Sequence, residues 1–276
     1  MFKQIYRRIV PKKSSAKQDA IRSMEIENFI QKHLFDQEKY QHPLKLNRFE
    51  YQSFSQCGED GIIDEIFKRI GTTNKYFVEF GVENGTECNS TLLLYKGWKG
   101  LWIEGNAQSV EHINAHMSGI ISAGTLTVLN SFITAENIES LFTQGGCPAE
   151  PDLLSIDIDR NDYYVWKSIV KFKPRVVAIE YNAIFRPDVS FTVPYDGAKT
   201  WDKTSNFGAS LGLLNTLGEE KGYSLVACNF AGTNAFFVRK DCLGDKFLLP
   251  GDAEAHYEPA RYYLYKKDGH PRNVIL

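Results

Sequence analysis

The chain has 276 residues, 43% of them hydrophobic and 24% charged, with a formal net charge of −2. This supplies a large core and excludes pervasive disorder and collagen-like repeats, while 32 basic against 34 acidic side chains give no overall attraction to nucleic acid or an anionic membrane. Five scattered cysteines with no CxxC pair point to neither a disulfide framework nor a structural zinc site, and they fit a reducing cytoplasm.

The first 22 residues carry seven basic side chains (Lys3, Arg7, Arg8, Lys12, Lys13, Lys17, Arg22) against Asp19, a basic arm that could touch a membrane surface at most peripherally. They lack the apolar region of a secretory signal, and no later run approaches the ~20 apolar residues of a membrane-spanning helix. Residues 23–53 read as a helical extension, with Ile26, Phe29, Ile30 and Leu34 at helical spacing from Met24 to Tyr40. Residues 54–242 then alternate helices with short apolar strands. A helix is expected from Ser55 to Ile70, a strand at Tyr76–Phe80, a helix around Ser90–Tyr95, a strand at Gly100–Glu104 and a helix around Ser109–Met117. Strand three is Thr125–Asn130, followed by a helix from about Ala135 to Gln144; strand four is Asp152–Asp157, followed by a helix Tyr163–Phe172; strand five is Arg175–Glu180. After a long connection, a helix Ala209–Lys221 leads to two strands, YSLVACNF and NAFFVRK, separated by only about three residues. So short a link requires the seventh strand to run antiparallel to the sixth. Continuous apolar runs in the central strands indicate a parallel sheet covered on both faces. The expected fold is α/β and Rossmann-like, a seven-stranded mostly parallel sheet with an antiparallel last strand, as in class I methyltransferases. Residues 243–276 are expected to pack on this domain as a tail.

In such a sheet the ligand lies beyond the carboxyl ends of the strands. After strand one, Gly81 and Gly85 would let backbone approach a cofactor, and Glu79 and Glu83 offer acceptors to a cation; a tight strand-to-helix turn would look the same. A dinucleotide site would instead want GxGxxG, and an acidic loop repels a pyrophosphate. Glu104, at the end of strand two, can accept both hydroxyls of a ribose, which serves S-adenosylmethionine (SAM) and NAD alike. Asn130 and Ser131 are positioned to touch an adenine. After strands four and five, Asp157 or Asp159 should meet Glu180 and Asn182, an oxygen-only set suited to Mg²⁺ or Mn²⁺. Either Asp159 or Asn161 is expected to cap the helix that begins near Asp162. Asp157, Asp159 and Asp162 are the candidate catalytic carboxylates.

The segments SQCGED before the first strand, FVEFGVENGTECNST, GWKGLWIEGN, DLLSIDIDRNDYYVW, VVAIEYNA and GTNAFFVRKD resemble the FkbM-like methyltransferases, over about residues 54 to 242. The resemblance implies SAM at Glu79, Gly81 and Glu104, with Gln56 and Glu59 close to its amino-acid end. It also implies metal ligands after strands four and five, and a sugar, glycolipid-precursor or polyketide-like acceptor.

The connection from Phe185 to Asn206 is a candidate lid over the acceptor. Tyr181, Arg186, Tyr195 and Trp201 are the candidate substrate contacts, with the aromatics able to stack on a sugar or base and Arg186, Lys199 and Lys203 able to neutralise phosphate. The expected function is metal-assisted O-methylation of a sugar, a sugar nucleotide or a cell-surface glycan precursor. The alternatives are a nicotinamide-dependent oxidoreductase and a non-catalytic binding protein that keeps the fold; a homo-oligomer is compatible with either.

Overall fold

The structure, a computed structural model, describes residues 16–264 and Val274. Seven strands form one sheet: β1 Tyr76–Phe80, β2 Lys99–Glu104, β3 Leu126–Asn130, β4 Leu153–Ile156, β5 Val176–Glu180, β6 Tyr223–Cys228 and β7 Asn234–Arg239. Their spatial order is β3-β2-β1-β4-β5-β7-β6. The first five run parallel, and β7 is antiparallel to both of its neighbours, β5 and β6. This is the Rossmann-like arrangement of class I methyltransferases.

The apolar runs are continuous because the sheet is covered twice. Along β1, Phe77 belongs to the core on one face and Val78 and Phe80 to the core on the other; along β5, Val176 and Ala178 alternate in the same way with Val177 and Ile179. The far end of the sheet is fixed by Asp152, fully buried just before β4. Its carboxylate accepts the amides of Thr73, Asn74 and Lys75 and pairs with Arg175 Nη1 at 2.8 Å. Ionised groups are rarely buried without such a set of donors.

Helix boundaries differ from the sequence reading where side chains capture backbone. The helix expected from Ser55 starts at Glu59 (with α1 at Ala16–Ile30, this is α2, Glu59–Ile70), because Asp60 Oδ2 accepts the amides of Ser53, Phe54 and Ser55 and folds that stretch into a loop. Downstream lie α3 Thr91–Tyr95, α4 Ala107–His116, α5 Ser118–Ser122, α6 Ile138–Gln144 and α7 Asp162–Ser168. The last of these ends four residues before the expected Phe172, since Ile169 is already extended. Then come α8 Leu211–Glu220, α9 Lys240–Leu243 and α10 Ala253–His256.

The expected division at residue 22 falls inside α1, a continuous helix that leads into a π-turn over Gln31–Phe35. Most of the basic arm, residues 1–15, lies outside the described residues. The extension docks through Tyr40, whose hydroxyl donates to Glu258 at 2.7 Å, and Asn47, whose Nδ2 donates to the Cys228 carbonyl at 2.8 Å. No described helix is long and apolar enough to cross a membrane.

Candidate active site

A cavity of about 850 Å³ opens beyond the carboxyl ends of β1, β2, β4 and β5. Of the residues singled out from sequence, Gln56, Gly81, Glu83, Glu104, Ser131, Asp157, Asp159, Asn161, Glu180 and Lys199 line it.

Glu104 sits on the wall that β2 supplies. It is only 9% exposed, and its two carboxylate oxygens accept the amides of Glu83 (2.8 Å) and Asn106 (2.7 Å), which fixes the plane of the carboxylate and leaves lone pairs free on both oxygens. Asn106 in turn caps α4, accepting the amides of Gln108 and Ser109. Gly81 has φ +77°, and a Cβ there would lie 1.6 Å from the Asp157 carbonyl oxygen. Its role is therefore to let the β1 loop pass against the end of β4. Gly85, with φ +80°, is pressed against the ring of Trp102, where a Cβ would come within 2.7 Å. It serves the packing of the turn and does not line the cavity.

Several candidate residues are committed elsewhere. Glu79 is buried, with one oxygen accepting the Asn89 amide at 2.9 Å and the other the Ser90 amide at 2.8 Å, so it holds the start of α3. Burial raises its pKa, and those donors oppose the rise. Glu59 is fully buried and accepts from Asn229, Thr233 and Asn234, which ties the β6–β7 turn to α2. Asn130 donates to the Glu104 carbonyl at 2.9 Å. Asn182 donates to the carbonyls of Ser205 (2.9 Å) and Phe207 (3.0 Å), closing the base of the long connection. Tyr181 is buried and donates to the Glu258 carbonyl.

Arg186 lies in the exposed part of that connection, 3.9 Å from Asp188. Tyr195 donates to Glu136 and accepts from the Ala135 amide, joining the connection to the segment before α6. Trp201 donates to the Thr204 carbonyl. None of these four polar or aromatic candidates, Tyr181 included, is among the lining residues. The connection reaches the cavity through Lys199 and Thr200.

At the end of β4 and β5 the acids converge. Asp157, Asp159 and Glu180 each place one oxygen within 4.8 Å of the others. Burial, followed by the charges of Asp159 and Asp162, pushes the Asp157 carboxyl well above the usual range; burial and the neighbouring aspartates do the same to Glu180. Asp162, at the start of α7, accepts the Ile158 amide on one oxygen at 2.8 Å. Its carboxyl is pushed up to about 6, first by burial. Glu180 Oε2, Asp162 Oδ2 and Asn161 Oδ1 are buried oxygens without a donor. The converging oxygens of Asp157, Asp159 and Glu180 are of the kind a hard cation takes.

Sequence reading missed Asn106 and Phe132 as cavity-lining groups. An Asn directly after a strand and before an amphipathic run is a helix-start signal that would have placed the first of them. Phe132, 46% exposed, follows the strand-three end already singled out at Asn130 and Ser131, and an exposed aromatic beside such residues is a usable signal.

No protein-family model and no curated protein matches the chain. Solved structures similar to it include a Klebsiella pneumoniae protein assigned as an O-methyltransferase, 14% identical, covering 80% of this chain and 99% of that one with a TM-score of 0.47. A Staphylococcus aureus protein assigned as a caffeoyl-CoA O-methyltransferase is 10% identical over 79% of this chain and 99% of its own, with a TM-score of 0.47. An O-methyltransferase from Bacillus cereus, solved with S-adenosylhomocysteine (SAH), is 11% identical over 77% of this chain and 95% of its own, with a TM-score of 0.44. The fold assignment itself rests on the strand order and directions given above.

Proposed function

We propose that this protein is a SAM-dependent O-methyltransferase of the FkbM-like kind, acting on a hydroxyl of a sugar or sugar nucleotide. The observation that carries the cofactor choice is the charge of the cavity wall. Six carboxylates line it (Glu83, Glu87, Glu104, Asp157, Asp159, Glu180) with one cation, Lys199. Around Glu104 and the loop after β1, where Glu83 and Glu87 also stand, a wall of this sign favours the sulfonium and ammonium of SAM and opposes the pyrophosphate of a nicotinamide dinucleotide. Glu104, held by two backbone amides, would accept the ribose hydroxyls, and Phe132 offers a face to the adenine.

Asp157, Asp159 and Glu180 are the residues that would hold Mg²⁺ or Mn²⁺. When bound, the cation would supply Lewis acidity that lowers the pKa of an acceptor hydroxyl. The chain's own part is to orient: Asp162 fixes the Ile158 amide and with it the turn that carries Asp157 and Asp159. Asn161 anchors the connection above by donating to the Asp196 carbonyl at 3.0 Å, which narrows access of water.

Titration calorimetry with SAH and with NAD tests the cofactor assignment. SAH binding without NAD binding is expected; NAD binding alone, or binding of neither, would overturn it. Transfer of labelled methyl from SAM to a panel of sugar nucleotides then tests the acceptor class.

A further inference from the structure

The two turns that carry the acids each present, two residues further on, an asparagine whose side chain reaches the long connection. Asn161 follows Asp159 and donates from Nδ2 to the Asp196 carbonyl at 3.0 Å; Asn182 follows Glu180 and donates from Nδ2 to the carbonyls of Ser205 at 2.9 Å and Phe207 at 3.0 Å. Residues 196–205 therefore form an arch slung between the end of β4 and the end of β5. Among the described residues, every other hydrogen bond made by 196–205 stays within 196–206. The Lys199 amide donates to the Asp196 carbonyl, the Ala198 amide to the Asp196 carboxylate, the Thr204 amide to Asp202, and the Trp201 indole to the Thr204 carbonyl. The arch is braced within itself and hung at its two ends, and it carries Lys199 and Thr200 to the cavity wall.

The two ends are not alike. Asn182 is fixed by its own backbone, with its amide on the Ala209 carbonyl at 2.8 Å and the neighbouring Tyr181 amide on the Thr233 carbonyl at 3.0 Å. Asn161, 2% exposed, stands directly before α7 but makes no side-chain bond to that helix, so it does not supply the cap expected from sequence; its side-chain amide serves the arch instead. Asp157, Asp159 and Glu180, each with an oxygen within 4.8 Å of the others, repel one another when ionised, and a cation among them draws the Asp159 turn toward Glu180. We propose that Asn161 is a positioning residue that passes this closure to the arch, so that a divalent cation on the three acids seats Lys199 and Thr200 over the cavity and completes the acceptor site. The proposal rests on the cation part of the methyltransferase reading and deepens it: the acceptor binds after the cation.

Hydrogen exchange followed by mass spectrometry tests this on the full chain, in EDTA and in saturating Mn²⁺, with Mn²⁺ binding itself read by electron paramagnetic resonance. In the wild type Mn²⁺ should slow exchange of residues 196–206 by about 2- to 10-fold, the equilibrium worth of one hydrogen bond. Residues 185–192, outside the two anchors, should be unchanged. Asn161→Ala removes no helix cap and none of the three acids. It should bind Mn²⁺ to within the same factor, because coupling is reciprocal, and should lose the slowing. A merely structural anchor gives a different result, with exchange faster in the variant and the slowing by Mn²⁺ preserved; that result overturns the proposal. If the variant does not fold, the wild-type pair decides, and slowing spread equally over 185–192 overturns the proposal. Mn²⁺ bound to the wild type without slowing overturns the coupling and leaves the cation site standing, whereas no Mn²⁺ signal overturns the cation reading and the coupling with it.

Discussion

Gly81 and Asp157 meet backbone to backbone across the carboxyl edge of the sheet, with room between them for a hydrogen but not for a methyl group. The Gly81 amide also donates to the Ile103 carbonyl at 3.2 Å, so the loop cannot retreat without losing that bond. Gly81→Val combines a positive φ with this clash and should cost about 2 to 5 kcal/mol of stability, summing backbone strain and overpacking. Urea unfolding measures it. A variant as stable as wild type would show that the β1 loop is not fixed by this contact.

Glu104 joins the loop after β1 to the start of α4 through its two accepted amides, so its replacement touches both structure and ligand. Glu104→Ala leaves the Glu83 and Asn106 amides without their acceptor and removes the group proposed to take the ribose hydroxyls. SAH affinity should fall by about 2 to 3 kcal/mol, the scale of hydrogen bonds to a charged group. Calorimetry of the folded variant with unchanged affinity would remove Glu104 from the cofactor site.

What the sequence made legible follows from periodicity. The strand at Tyr76–Phe80 and the strand end at Glu180 lie where the apolar runs put them, because a doubly covered strand admits few polar residues before its end. What it hid is direction. Glu79 looks like a strand-end acid, but it stands opposite Ser155 in the register and turns with it toward Asn89 and Ser90, beneath the edge and away from the cavity. Tyr181 and Asn182 follow β5 directly and look equally available. One is committed to the Glu258 carbonyl, 77 residues on, and the other to the close of the connection at Ser205 and Phe207. Partners this distant leave no local trace. Gly81 was legible as a residue under constraint, whereas the neighbour that constrains it became visible only with β4 in place.

His256 makes stability depend on pH. Buried beside Lys45, its imidazole is pushed down from 6.5 to about 4, chiefly by burial, and its Nε2 has no partner. Between those values the unfolded chain binds the proton and the folded chain does not, so stability falls as pH drops from 6.5 toward 4, by about 1.4 kcal/mol per unit at the steepest. Above pH 6.5 the contribution is complete. His256→Phe should flatten this part of the profile of urea midpoint against pH; an unchanged slope in the variant would assign the acid sensitivity to other groups.

The acidic cluster predicts a cation. Crowded carboxyls at a cavity wall whose pKa values are raised are relieved by protonation or by a divalent ion, and at neutral pH the ion is the stronger partner for an all-oxygen set. Mn²⁺ followed by electron paramagnetic resonance should therefore bind the full chain without SAM or acceptor present. Asp157→Ala and Glu180→Ala should weaken that binding by at least about the 10- to 100-fold seen when even outer-shell partners of a metal site are removed. Both variants should still bind SAH, because the Glu104 wall is independent of β4 and β5 side chains. Turnover should vanish in EDTA and return with Mg²⁺ or Mn²⁺. Full activity in EDTA, with no Mn²⁺ signal, would defeat the cation and move the search for a base to Asp159 and Asp162. Of these, Asp159 lines the cavity, whereas Asp162 is 1% exposed and does not, so Asp159 comes first.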